Sequence, residues 1–129
     1  MQVTRAGDYA FRALAYMANT PNHTDTARIA REVGVPPVYL RKIFQSLSRA
    51  GIVRTFPGTG GGVALARPPS AISLREVIEA LEGPIILSEC IARPEACSRS
   101  SGCKIRQSLA ALQDSITGAF ASRTIADIL

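Results

Sequence analysis

Residues 26–66, TARIAREVGVPPVYLRKIFQSLSRAGIVRTFPGTGGGVALA, decide the fold. Apolar side chains recur at helical spacing in residues 26–33 and again in residues 37–50, which predicts two short helices. Gly34 lies between them and can adopt the left-handed backbone that a tight turn needs. Two helices joined in this way form a helix-turn-helix, whose second helix can project into the major groove of DNA.

A glycine-rich hairpin follows the second helix. Residues 52–56 and 62–66 are short and strand-like, and the Pro-Gly-Thr-Gly-Gly segment at residues 57–61 is typical of a hairpin tip. A helix-turn-helix followed by a hairpin is the order of elements in a winged helix-turn-helix. We therefore expect a mainly α fold with one small β-hairpin.

Further helices flank this unit. Thr4 can cap a first helix that ends near residue 19, and Ser73 can cap another over residues 74–81. Residues 103–122 form the longest helix. Its apolar residues recur at spacings of three and four, and they are Ile105, Leu109, Leu112, Ile116, Ala119 and Phe120. We expect one face of this helix to pack against another surface.

Positive charge is concentrated in the first half of the chain. The 129 residues carry a formal net charge of +5. Residues 1–70 hold nine Lys and Arg side chains against three Asp and Glu, whereas residues 71–129 hold six against seven. A basic surface confined to one part of a chain favours an anionic partner such as nucleic acid. We expect a DNA-binding domain at residues 1–82 and a second unit, the cysteine-containing loop with the long helix, at residues 83–129.

The sequence also argues against several classes of protein. No apolar run approaches the roughly eighteen residues that a membrane span needs, and the N-terminus lacks the basic-then-apolar pattern of a signal peptide. We therefore expect a cytoplasmic protein that does not bind membranes. An enzyme is not expected, because the sequence shows no nucleophile–base pair and its one isolated histidine, His23, offers little acid–base chemistry.

The polar face of the second helix of the helix-turn-helix carries the candidate base-reading residues. Arg41 and Gln45 lie four residues apart on one face and can pair with guanine and adenine edges. Lys42 and Tyr39 are better suited to phosphate contacts. The predicted DNA-binding residues are Pro37, Tyr39, Arg41, Lys42, Gln45 and Arg49 of this helix, with Arg54, Gly58, Thr59 and Gly60 of the hairpin. The alternative interpretation is an amphipathic surface helix with a solvated basic face.

Three cysteines, Cys90, Cys97 and Cys103, lie in or beside a segment without helical or strand periodicity. The residues between them are mostly small or polar and cannot bury themselves, and a thiolate-bound metal or cluster would order them. An iron–sulfur cluster, a redox thiol switch, a zinc ion and inert thiols all stay open. The helix that begins at Cys103 favours its thiolate. We expect His23 to be solvated.

These features together resemble the family of bacterial regulators that includes IscR, NsrR and RirA. The resemblance covers essentially the whole chain. It is carried by the three cysteines and by five segments: MQVTRAGDYA at residues 1–10, LSRAGIV at 47–53, GTGGGVAL at 58–65, ISLREVIEALE at 72–82 and TIADIL at 124–129.

The resemblance implies a homodimeric winged-helix repressor that binds a palindromic DNA operator. The helix at residues 103–122 would be the dimerisation helix. An iron–sulfur cluster, 4Fe–4S favoured and 2Fe–2S the alternative, would sense nitric oxide, iron or redox state. Asp8-Tyr9 followed by Arg12 is most similar to the NsrR branch, in which an aspartate of the partner subunit is the fourth cluster ligand. Asp8 matches that position; alternatively it is only a first-turn acid that the helix dipole favours.

Three positions depart from the family pattern. The first cysteine interval is six residues, where five or fewer is common in the NsrR branch. Pro57 stands where a basic residue usually precedes the wing glycines, and Arg54 can partly replace it. Arg106 stands where the IscR branch has a histidine ligand, which argues against that ligation. Two other functions stay open: a cluster-free regulator with a reversible disulfide, and an iron–sulfur electron carrier.

Overall fold

The chain folds into packed helices with one antiparallel hairpin. The computed structural model describes residues 2–129. The helices and strands, in chain order, are α1 (Arg5–Ala18), α2 (Thr26–Val33), α3 (Pro37–Arg49), β1 (Val53–Phe56), β2 (Gly62–Leu65), α4 (Leu74–Glu82), α5 (Glu89–Ala92) and α6 (Lys104–Ser122). Short 3₁₀ turns cover Pro69–Ala71, Pro94–Ala96 and Ile125–Ile128. The predicted fold class is confirmed.

Across residues 2–129, none of the helices combines the length and the apolar character needed to cross a bilayer.

The helix-turn-helix forms around a shared apolar core. α2 ends at Gly34, whose φ of 71° is the left-handed conformation expected of it. Val35 follows the turn and is buried, and its N–H donates to the carbonyl of Ala30 at 2.9 Å. The apolar side chains on the inner face of α3 are buried, and they are Leu40, Ile43, Phe44 and Leu47. The inner face of α3 is therefore fixed, and its opposite face is left to solvent.

The second strand of the hairpin also pairs with the loop before α2. β1 and β2 pair antiparallel, with Val53 opposite Leu65. Thr24, in the loop before α2, exchanges two backbone hydrogen bonds of 2.9 Å with Val63 on β2. A Cβ at Gly62 would lie 2.3 Å from the Thr24 carbonyl oxygen, so this approach requires glycine. The sequence did not predict this pairing, because a single bridge carries no periodic pattern.

The end of the chain returns to the start of α4. The Ile125 N–H donates to the carbonyl of Ile72 at 3.0 Å. Ile125 is completely buried and belongs to the same core cluster as the apolar residues of α1, α2 and α3. The residues after α6 thus contribute to the core of the winged-helix unit. The division of the chain into residues 1–82 and 83–129 stays a prediction.

The segment between α4 and α6 is more regular than its sequence pattern indicates. It contains α5 and the 3₁₀ turn at Pro94–Ala96. Two side chains of α6 hold its backbone: Gln113 accepts from the Leu87 N–H at 2.9 Å, and Arg106 donates to the carbonyl of Cys90 at 3.1 Å. Contacts between such distant residues leave no trace in local periodicity.

The apolar stripe of α6 is divided between two environments. Phe120 packs against the core, and Leu109 and Ile116 are half-buried. Ile105 and Leu112, by contrast, are 72% and 55% exposed. One side of the stripe therefore packs within the chain, and the other side faces solvent.

An ion pair supports the N-terminus of α4. Ser73, the predicted cap, forms a capping box with Glu76, in which the Ser73 N–H donates to the Glu76 carboxylate at 3.0 Å. Arg67 donates to the other carboxylate oxygen at 2.8 Å. The hydrogen bond from Arg67 is the main cause that lowers the pKa of Glu76; partial burial opposes it, and the hydrogen bonds from Ser73 reinforce it.

We expect Glu76→Gln to remove part of the acid sensitivity of the fold. Because folding lowers the pKa of Glu76, its carboxylate stabilises the fold at neutral pH. This contribution is lost as the pH falls from the ordinary glutamate pKa through the lowered folded value. The pair is partly exposed, so the loss should be at most about 1 kcal/mol. Urea unfolding from about pH 7 to about pH 3 measures it.

Arg67→Gln is the matched variant and should remove most of the same pH dependence. The double variant should then lose little more than either single variant. Additive losses would show that Arg67 and Glu76 stabilise the fold independently.

Candidate nucleic-acid interface and cysteine cluster

The outward face of α3 displays the DNA-binding residues predicted on this helix. Those predicted on this helix are all exposed: Pro37, Tyr39, Arg41, Lys42, Gln45 and Arg49. Arg41 and Gln45 share their face with Val38, which is 64% exposed. Val38 is not among the predicted DNA-binding residues, because that prediction for α3 rests on polar side chains and Pro37. Val38 lies three residues before Arg41 and seven before Gln45, and this spacing by itself places the three side chains on one face of a helix.

Tyr39 connects the start of α3 to α1. Its ring meets that of Tyr9 edge to face, with the ring centroids 5.6 Å apart. Such pairs stabilise a fold by about 0.5–1.5 kcal/mol more than the burial of their surface area alone would. Asp8 precedes Tyr9 on α1, so the pair joins the N-terminal part of α1 to the N-terminal turn of α3.

α3 and the hairpin tip border one groove. Arg41 lines it together with Gly58, Thr59 and Gly60, and its volume is about 540 Å³. Gly58 and Gly60 have φ values of 81° and 78°, a backbone that glycine adopts without strain. The tip can approach a ligand closely, because these positions carry no side chain. The structure thus places a predicted base-reading residue beside the predicted residues of the wing tip.

His23 and Arg54 lie against Phe56 on the hairpin. The ring centroids of His23 and Phe56 are 4.8 Å apart, and the guanidinium carbon of Arg54 lies 5.6 Å from the Phe56 centroid. His23 Nε2 lies 2.7 Å from the Gly60 carbonyl and donates to it in the tautomer protonated there. His23 is exposed, as expected, but it also attaches the loop before α2 to the wing, which sequence analysis did not foresee.

The cysteines lie around the N-terminus of α6. Cys90 on α5 and Cys103, the N-cap of α6, are half-buried, whereas Cys97 is exposed; all are free thiols. Arg106 contacts both Cys90 and Cys103. Its side chain donates to the carbonyl of Cys90 at 3.1 Å, and its N–H donates to the Cys103 sulfur at 3.5 Å. The Ser88 hydroxyl lies 3.1 Å from the Cys90 sulfur.

The thiols fit a metal or cluster by chemistry but do not surround one in the single chain. Thiolate is the ligand that zinc and iron–sulfur clusters prefer. Within residues 2–129, however, no three Cys, His, Asp or Glu side chains converge on one point. Asp8 lies in the first turn of α1 and pairs with Arg12 at 2.8 Å. A complete site would need a rearranged cysteine segment and a ligand from elsewhere.

A helix-turn-helix whose recognition helix and glycine-rich wing border one groove defines a winged-helix transcription regulator. Over residues 3–129 the chain matches the profile of the Rrf2 family, described as "Iron-dependent Transcriptional regulator". The chain belongs to the Rrf2 family. Membership in a family of transcription regulators agrees with the expectation of a DNA-binding protein without enzymatic activity. The closer relation to the NsrR branch stays a prediction.

Solved structures of similar fold include two named regulators. CymR, described as the global cysteine regulator of B. subtilis, is 26% identical, with a TM-score of 0.74 over 99% of this chain and 95% of that chain. T. potens IscR is 25% identical, with a TM-score of 0.75 over 99% of this chain and 85% of that chain. The oxidized form of Staphylococcus aureus CymR, 22% identical with a TM-score of 0.73, covers 99% of this chain and 95% of its own and shares the fold.

We expect His23→Ala to loosen the hairpin tip without unfolding the domain. The variant removes the donor to the Gly60 carbonyl and the ring against Phe56. One net hydrogen bond contributes about 1 kcal/mol, so amide exchange at the tip should rise about fivefold. The Gly61 N–H, which donates to the carbonyl of Gly58 at 3.1 Å, is the amide to follow by NMR. His23→Gln keeps a donor and should exchange at an intermediate rate; equal rates in all three proteins would rule out this role.

Proposed function

We propose that the chain is a homodimeric DNA-binding repressor whose affinity for its operator is controlled by an iron–sulfur cluster. α3 enters the major groove, and the hairpin contacts the adjoining backbone. The observation that carries the DNA-binding part is the groove that Arg41 shares with Gly58, Thr59 and Gly60. A recognition helix and a wing that border the same space can contact one duplex together.

The proposed contacts divide into base-reading and positioning contacts. Arg41 and Gln45 reach base edges, because their planar groups can make paired hydrogen bonds to guanine and adenine. Lys42, Tyr39 and Arg54 contact phosphates or the minor groove. The excess of positive charge in residues 1–70 supports this assignment, because each neutralised phosphate releases counterions and strengthens binding.

The exposed side of α6 supports the homodimer. Ile105, Leu112 and Ala119 are exposed and recur every seven residues, with Ser108 and Ser115 between them. This is the spacing at which two helices pack along a seam, and pairing two copies of α6 would bury these side chains. A two-fold dimer presents its α3 helices to half-sites about 34 Å apart, which requires a palindromic operator.

Cys90, Cys97 and Cys103 are the proposed cluster ligands. They are free thiols, and the family is described as iron-dependent. We favour a 4Fe–4S cluster, with 2Fe–2S as the alternative. Clusters usually take four protein ligands, and the resemblance to the NsrR branch assigns the fourth to the partner subunit's Asp8. When bound, the cluster supplies iron that responds to nitric oxide, iron supply or redox state.

α1 is the proposed route from the ligands to the DNA-reading helix. It carries Asp8 and, next to it, Tyr9, whose ring contacts Tyr39 on α3. Ligation would take Asp8 away from its ion pair with Arg12 and shift the N-terminal part of α1. A tenfold change in DNA affinity requires only about 1.4 kcal/mol, so a small displacement of α3 is sufficient.

A thiol-based regulator is the second candidate. Cys97 is exposed, and Cys90 and Cys103 are only half-buried, so oxidants can reach all three. Two of the thiols would then form a reversible disulfide, and DNA binding would respond to oxidation without iron. An iron–sulfur electron carrier is the third candidate, and it predicts little salt-dependent DNA affinity.

We expect Arg41→Ala to weaken DNA binding and relax its sequence preference. A good bidentate base contact discriminates by about 1–3 kcal/mol, so affinity for a selected operator should fall about tenfold to a hundredfold. The operator is selected from random-sequence DNA, and fluorescence anisotropy gives the dissociation constants at several salt concentrations. The wild-type affinity for DNA should fall steeply as the salt concentration rises, whereas an electron carrier should show little salt-dependent DNA affinity.

Arg75→Ala is the charge-matched control. It removes an exposed arginine from α4, which carries none of the proposed DNA contacts. Its operator affinity should stay within about twofold of wild type, because Arg75 makes none of the proposed contacts and its charge is paired with Glu79 at 3.0 Å. Equal losses in Arg41→Ala and Arg75→Ala would reduce the effect to net charge and contradict the base-reading role.

We expect the anaerobically purified protein to be brown and to contain iron and sulfide. Cys97→Ala should lose both while keeping its circular dichroism spectrum, because Cys97 is exposed and lies outside the core. Its DNA affinity should no longer respond to nitric oxide, and Ser98→Ala should behave as wild type. A colourless, iron-free wild type, even after anaerobic reconstitution, would instead support the thiol-based regulator.

Mixed dimers test whether Asp8 crosses the interface. A heterodimer of Asp8→Ala and Cys97→Ala subunits keeps one intact site if the ligands come from both subunits, and none if they come from one. It should therefore hold about half of the wild-type iron, in line with the four ligands that clusters usually take. Iron content no higher than in the Cys97→Ala homodimer would contradict the assignment of Asp8.

A further inference from the structure

Val38 is an exposed apolar side chain on a face otherwise made of polar residues. It is 64% exposed. Among residues 2–129 the other strongly exposed large apolar side chains lie mainly on α6 and at the two ends of the chain. Val38 lies instead at the second position of α3, after Pro37. Neither the core nor the proposed dimer seam accounts for it.

The position of Val38 is fixed relative to the proposed base-reading residues. Arg41 and Gln45 follow it by three and seven residues, so the three side chains project from one face of α3. Tyr39, the next residue, is held against Tyr9 on α1, which fixes the N-terminal turn of α3. That turn is the end of a recognition helix that reaches base edges in helix-turn-helix proteins.

The chemistry of valine limits what it can recognise there. Its side chain neither donates nor accepts hydrogen bonds, and the one apolar group on the base edges of the major groove is the C5-methyl of thymine. The β-branched side chain has one strongly preferred rotamer in a helix. Its methyl groups therefore lose little conformational freedom on contact.

We propose that Val38 is a specificity-determining residue that packs against the C5-methyl of a thymine next to the base pair read by Arg41. This inference rests on the proposed function, since it requires α3 to lie in the major groove. Burying one methyl-sized group contributes about 0.8 kcal/mol, which is about fourfold in affinity per half-site and about fifteenfold per palindrome.

The test replaces each thymine of the selected operator in turn by deoxyuridine, which removes only the methyl group. Substitution at one symmetric pair of positions should weaken wild-type binding about fifteenfold. Val38→Ala should bind the thymine operator about as weakly as wild type binds the uracil operator, and it should no longer distinguish the two. Leu129→Ala, which truncates an exposed apolar residue at the chain end, should keep the full discrimination.

The outcomes separate this inference from the function on which it rests. Two outcomes overturn the role of Val38 alone. In one, wild type binds specifically and with salt dependence, but removing any thymine methyl group leaves its affinity unchanged. In the other, Val38→Ala still distinguishes the thymine operator from the uracil operator. Wild type without any sequence preference overturns both the proposed function and the role of Val38. Thermal unfolding verifies that Val38→Ala is folded, which is expected because the side chain is exposed.

Discussion

The burial of one face of α3 is the constraint on which the DNA-facing surface depends. Leu40 and Leu47 are completely buried, and Ile43 and Phe44 nearly so. Cutting one such side chain back to alanine costs about 2–5 kcal/mol, a large fraction of the 5–15 kcal/mol that stabilises a typical domain. Successive side chains on a helix are about 100° apart, so fixing the inner face also fixes the direction in which the outer face points.

The wing is held by backbone contacts as well as by side-chain burial. Val53 and Val63 are buried in the core, and the hydrogen bonds between Val63 and Thr24 connect the hairpin to the loop before α2. His23, in the same loop, holds the tip through the Gly60 carbonyl. The loop therefore couples the wing to α2, and through the helix-turn-helix core to α3. A duplex that meets α3 meets the wing in a defined orientation.

The cysteine segment is held much less firmly than the winged-helix unit. Only Ile85 within residues 83–103 is buried, and the segment is attached to α6 mainly through Arg106 and Gln113. Regions with few buried contacts open at low free-energy cost. A segment of this kind suits the proposed sensor role. A change in what its cysteines bind can alter the structure of the segment while the core around α3 stays folded.

Local patterns in the sequence were sufficient for α1 to α4 and α6, the left-handed turn at Gly34, the hairpin and the buried face of α3, because each depends on residues close together in the chain. They also predicted Arg41 and the wing glycines as DNA contacts from the residue types, and the structure places these residues beside one groove. Only the tertiary structure revealed the pairing of Thr24 with Val63, the attachment of His23 to the wing and the solvent-facing side of α6. These features join segments that are far apart in sequence, and such contacts depend on how the core packs, which no local period records.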